Sequence, residues 1–118
     1  MSDIVSWNLQ LSIREGRYED LEALVQEMVE STRSETGTLM YEWFVSNDKS
    51  TCHIYERYAD EEAVLTHLDN FGSKFAERFM GCLEPTVFYV YGEPSDTVRS
   101  ALDGLSAVYL GPIGGFSR

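Results

Sequence analysis

Two stretches of this chain carry large apolar side chains on both faces of a strand. In TLMYEWFVS (residues 38–46), Leu39, Tyr41, Trp43 and Val45 alternate one way and Met40 and Phe44 the other. In TVFYVYG (86–92), Val87, Tyr89 and Tyr91 oppose Phe88 and Val90. A strand shows side chains to opposite faces with a period of two, so both faces of any sheet built on these segments call for burial. Each large side chain left in water forfeits ~1.5–3 kcal/mol, and five or six of them would rival the ~5–15 kcal/mol stability of a domain. One layer of helices covers one face. A second copy, packed sheet to sheet about a two-fold axis, is the economical cover for the other.

The rest of the chain supplies the helices. Residues 5–13 alternate Val5, Trp7, Leu9, Leu11 and Ile13 with Ser6, Asn8, Gln10 and Ser12, a strand with one apolar side. From about Tyr18 to Glu35, Leu21, Leu24, Val25, Met28, Val29 and Thr32 form one apolar helical stripe. Glu19, Asp20 and Glu22 sit in its first turns, where the dipole favours them, and Gly37 suits a left-handed stop. Residues 51–59 (TCHIYERYA) pair with 38–46 as a hairpin across Asn47 to Ser50. Asp60 caps a second helix in which Val64, His67, Leu68 and Phe71 share a face. Gly72 and Ser73 interrupt it, Phe75, Phe79 and Leu83 continue the stripe, and Glu84 and Pro85 end it before the strand at Thr86. Ser95 to Asp103 reads as a short helix ending at Gly104, Ser106 to Leu110 as a fifth short strand, and GPIGGFSR as irregular. The expected fold is α+β: a ferredoxin-like βαββαβ unit with an antiparallel sheet and helices on one face, plus a C-terminal helix/strand tail. The unit would occupy residues 1–93 and the extension 94–118.

Charge narrows the partners. Twenty acidic side chains against nine basic leave a formal net charge of −11, which repels nucleic-acid phosphates and anionic membrane surfaces. No apolar run approaches the ~18 residues that span a bilayer, and the N-terminal residues do not read as a secretion signal. Cys52 and Cys82 match no metal or redox spacing. A cytoplasmic protein with reduced thiols is the expectation. Dinucleotide, phosphate-loop, nucleophile-elbow and metal motifs are absent, so no cofactor or metal is expected and chemistry must come from a pocket.

His67 is the leading candidate. Between Val64 and Phe71 it faces the sheet, either as a core histidine or as a base with an ordinary pKa of about 6.5 that surroundings can tune. The aromatic stripe of Phe71, Phe75 and Phe79 beside it suits a small-molecule cleft, and equally a plain core. Glu56 alternates with Ile54 and Tyr58, a carboxylate among apolar neighbours that needs a partner or orients His67. Asn8 and Gln10, on the polar side of the first strand, face solvent or hold a substrate oxygen; His53 reads as exposed or at a subunit interface.

The ordered series over residues 5–92 resembles the antibiotic biosynthesis monooxygenase (ABM) family. It comprises the turn at Gly16, the E-x-G of Glu35 to Gly37, the Tyr41–Glu42 pair, the Tyr55–Tyr58 strand, the Asp60 cap and the Ala63–Leu68 helix segment. The resemblance implies a dimeric α+β barrel and cofactor-independent oxygenation of a quinol-like or polycyclic aromatic by dioxygen. His67 would be the base or hydrogen-bond partner, Asn8 and Glu56 would position oxygen atoms, and Tyr41, Tyr58, Phe71, Phe75 and Phe79 would contact the substrate. The haem-degrading branch uses a strand Asn, a Trp and a helix His. Asn8 could serve as the Asn, but no Trp stands between the third strand and the second helix. The alternatives are an isomerase of the same fold and a non-catalytic binding or scaffold dimer.

Overall fold

A computed structural model describes residues 3–118 as a five-stranded mixed sheet with four helices. In chain order these are β1 (Val5–Ile13), α1 (Tyr18–Arg33), β2 (Thr38–Val45), β3 (Thr51–Tyr58), α2 (Glu61–Lys74), α3 (Ala76–Cys82), β4 (Leu83–Tyr91), α4 (Asp96–Leu102), a 3-10 turn (Asp103–Leu105) and β5 (Val108–Leu110). The strand order is β2-β3-β1-β4-β5. The first four strands pair antiparallel, as a ferredoxin-like unit requires, and β5 adds parallel to β4.

The period-two pattern of β1 decides which face is the core. Val5, Trp7, Leu9 and Leu11 are buried, and their register partners Tyr58, Glu56, Ile54 and Cys52 are buried beside them. Leu21, Leu24 and Met28 of α1, Val64 of α2, Phe79 of α3 and Val98 and Leu102 of α4 close over that face in one cluster. The other face carries Met40, Phe44, Tyr91, Val108 and Leu110, each at least about one-third exposed. Among the described residues no helix is long and apolar enough to cross a membrane.

Four local expectations are corrected. The second helix divides at Phe75, and β4 begins at Leu83, three residues ahead of Thr86. Pro85 disfavours helix at Glu84 and lies inside the strand, where the β1–β4 register slips between Gln10 and Leu11. Thr86 sits at that slip and donates its hydroxyl to the Gln10 carbonyl at 3.1 Å. Gly37 does not adopt the left-handed conformation; among the described glycines that conformation belongs to Gly16, Gly92 and Gly115. Gly37 is required by a close approach, since a Cβ there would lie 2.5 Å from the Cβ of Ala63. Leu39 falls at an irregularity in β2 and is exposed rather than facing the core with Tyr41 and Trp43.

Candidate functional site

The contact at Gly37 fixes how the α1–β2 turn meets α2. Asp60 caps α2 by accepting the Ala63 amide at 2.9 Å, which sets the phase of the helix. Ala63 and His67 lie one turn apart on the same side, so the loop seated on Ala63 brings Glu35 beside His67. His67 Nδ1 is hydrogen-bonded with Glu35 Oε1 at 2.9 Å, and Nε2 lies 3.2 Å from Glu56 Oε1. Asn70, a further three residues along α2, donates to Glu35 Oε2 at 3.1 Å, and the Thr38 hydroxyl donates to Glu35 Oε1 at 3.0 Å. The Tyr58 hydroxyl donates to Glu56 Oε1. The His67 ring lies between the rings of Tyr41 and Tyr58, at centroid distances of 5.4 and 5.3 Å.

The imidazole and both carboxylates are each less than one-tenth exposed. Ionised carboxylates only accept, so a carboxylate beside each ring nitrogen favours the imidazolium form of His67. Burial pulls the His67 pKa down, but the hydrogen bonds and charges of Glu56 and Glu35 outweigh it, and the net shift is upward. The flanking phenols shift the same way: burial first, then the Glu56 charge, hold Tyr41 and Tyr58 in their neutral forms well above the ordinary range. In that imidazolium form, His67 between two ionised carboxylates gives the cluster a net charge of −1.

Beside this cluster is a cavity of about 70 Å³ lined by the titratable groups of Tyr41, Glu56 and His67. Trp7, Tyr41, Phe71, Phe79 and Phe88 line it, and Leu102, Leu105 and Met80 close it. Phe71 and Phe79 meet edge to face at 4.9 Å. A larger hollow of about 900 Å³ lies elsewhere, between the start of β1 and the C-terminal strap, with Asp3, Arg57, Asp60, Glu62 and Phe116 in its walls.

Of the residues expected from sequence, the structure brings His67, Glu56, Tyr41, Phe71 and Phe79 to the cavity, with Tyr58 directly behind Glu56. Phe75 is not among the lining residues; it ends α2, and the Arg78 guanidinium sits 5.6 Å over its ring. Asn8 is placed on the opposite face of the sheet from Trp7 and Glu56, paired with Tyr55 and accepting from Gln10 at 3.1 Å. It does not reach the His67 cavity, because its parity in β1 is the opposite of Trp7. Glu35 is the site residue that sequence reasoning missed, although the E-x-G motif contains it. Among the described residues no cluster of three or more His, Cys, Asp or Glu is arranged to hold a metal ion.

The sequence model for antibiotic biosynthesis monooxygenase matches residues 4–79. No curated protein matches the sequence. Among solved structures, MupZ from Pseudomonas fluorescens is 23% identical with a TM-score of 0.88, covering 100% of this chain and 91% of its own. Rv0793 from Mycobacterium tuberculosis is 23% identical with a TM-score of 0.61, over 79% of this chain and 97% of its own. SnoaB from Streptomyces nogalater, a cofactor-independent oxygenase, is 11% identical with a TM-score of 0.66, over 80% of this chain and 96% of its own. At these identities the structural likeness shows the fold, and the sequence match, which spans more than half of the chain, shows the family. The chain belongs to the antibiotic biosynthesis monooxygenase family.

Proposed function

We propose that the chain is a cofactor-independent oxygenase of an electron-rich aromatic small molecule, a quinol or anthrone, working as a homodimer. The observation that carries this reading is the Glu35–His67–Glu56 cluster set in the wall of an otherwise apolar, aromatic-lined cavity. The family membership supports it.

The cluster supports roles different from those expected. With both ring nitrogens committed to carboxylates, resting His67 has no lone pair to offer a substrate. Glu56, which lines the cavity, is the proton acceptor, and His67 balances its charge and returns the proton. For an anthrone, Glu56 takes the proton that converts the ketone to its enolate. The enolate passes one electron to dioxygen, and the radical pair combines to a carbon-bound peroxide. Loss of the remaining hydrogen on that carbon expels hydroxide, which takes the returned proton and leaves as water, so anthrone and dioxygen give quinone and water. The apolar walls keep bulk water from the radical pair. The exposed apolar side chains of the open sheet face, Phe44 and Met40 among them, support pairing with a second copy.

A second reading has one observation in its favour: Glu56 and His67 already form an acceptor–donor couple, which suffices for isomerisation without an oxidant. Oxygen uptake separates the two. With a panel of hydroquinones and anthrone, uptake above the uncatalysed rate is expected, falling by about 10²–10⁴-fold in His67→Ala. No uptake by the wild type with any member removes the oxygenase reading; equal uptake in the variant removes His67 from it.

A further inference from the structure

Two residues that line the His67 cavity also reach solvent: Met80 on α3, 43% exposed, and Leu105 on the 3-10 turn, 37% exposed. The other lining residues are buried or half-buried. The mouth of the cavity therefore lies between α3 and the turn. Leu102, 1% exposed and three residues before Leu105, forms the wall just inside. The turn is held in place from outside the cavity. The Tyr109 hydroxyl donates to Asp103 Oδ1 at 2.7 Å, and the Arg99 guanidinium lies 4.2 Å over the Tyr109 ring.

The volume makes this mouth consequential. About 70 Å³ is well below the ~300–1,000 Å³ of ordinary ligand sites, so an aromatic ligand enters only by displacing a side chain. Leu105 has the freedom to move, being at the surface with open space around the preceding Gly104. It also lies beyond residues 4–79, the span matched by the family, and within the C-terminal extension, which we place at residues 94–118.

We propose that Leu105, with Met80, is the size filter of the chamber, and that it admits a neutral, flat apolar molecule bearing a hydroxyl that reaches Glu56. The inference rests on the reading of this cavity as the ligand site. Neutrality follows from the cluster: a second anion would meet a net negative charge in a medium that screens poorly.

Calorimetric titration of the intact protein with phenol, 1-naphthol and 1-naphthoate tests it without reference to turnover. The wild type is expected to bind both phenols and to bind 1-naphthoate at least about tenfold more weakly than 1-naphthol. The preference for 1-naphthol over phenol is expected to rise about fivefold or more in Leu105→Ala and to fall by as much in Leu105→Phe. Binding of both phenols with a size preference that both substitutions leave within that margin overturns the filter alone. 1-Naphthoate binding as tightly as 1-naphthol overturns the neutral ligand class. Absence of phenol and naphthol binding overturns the chamber as a ligand site, and the filter with it.

Discussion

Replacing Glu35 with Gln removes one charge from the cluster while keeping its shape. The single amide oxygen can take the place of Oε1, accepting from Thr38 and facing His67, or of Oε2, accepting from Asn70, so the substitution removes the charge beside His67 and one further acceptor. Hydrogen bonds to charged groups are worth ~1.5–3 kcal/mol. Glu35 and His67 side chains are 6% and 7% exposed, so solvent does little to screen them. In a domain of this size that corresponds to a melting point lower by roughly 6–12 °C. The pH dependence has a definite sign. The His67 pKa in the folded state is raised above its unfolded value of about 6.5. Its contribution to stability is therefore fully present below that value and is lost as pH rises through the folded pKa. Glu35 supplies part of the upward shift, so the gap between wild type and Glu35→Gln is expected to be widest near pH 6 and to narrow on going alkaline. Urea denaturation followed by the fluorescence of buried Trp7 measures it at each pH. A gap below about 0.5 kcal/mol at pH 6, well under the charge-assisted range, or a gap that widens with pH, refutes the ionic clasp.

Two other substitutions probe the supports of the site. Gly37→Ala places a Cβ 2.5 Å from that of Ala63; overpacking of about 1–3 kcal/mol and a lower His67 titration midpoint by NMR are expected as the Glu35 contact is pushed apart, whereas an unshifted melt and midpoint would disprove the close-approach argument. Phe44→Arg puts a charge on the open sheet face at a side chain now 55% exposed; sedimentation should give a folded monomer against a wild-type dimer, and a wild type that is monomeric at micromolar concentration would discard the dimer.

The elements were legible because their information is local. The alternation in β1, the α1 stripe and the Asp60 cap each settle within a few residues what burial then rewards. His67 and Glu56 could be singled out because each breaks an apolar face. Glu35 could not be found that way: it lies outside any periodic element, and only the close seating of Gly37 on Ala63 carries it to the histidine. The misplacement of Asn8 has a simpler cause, since the parity that buries Trp7 already turned Asn8 to the other face. Nothing local in the tail tells where Leu102 and Leu105 pack; that is set by β5 joining the edge of β4 and by Val98 and Leu102 entering the core.

The charge of the site turns on the protonation of one ring. Nitrogen NMR of His67 in the wild-type protein at pH 7.5 reads it directly. Protons on both ring nitrogens are predicted, held by the carboxylates on either side; a neutral ring with one bare nitrogen would contradict the clasp and return His67 to an ordinary core histidine.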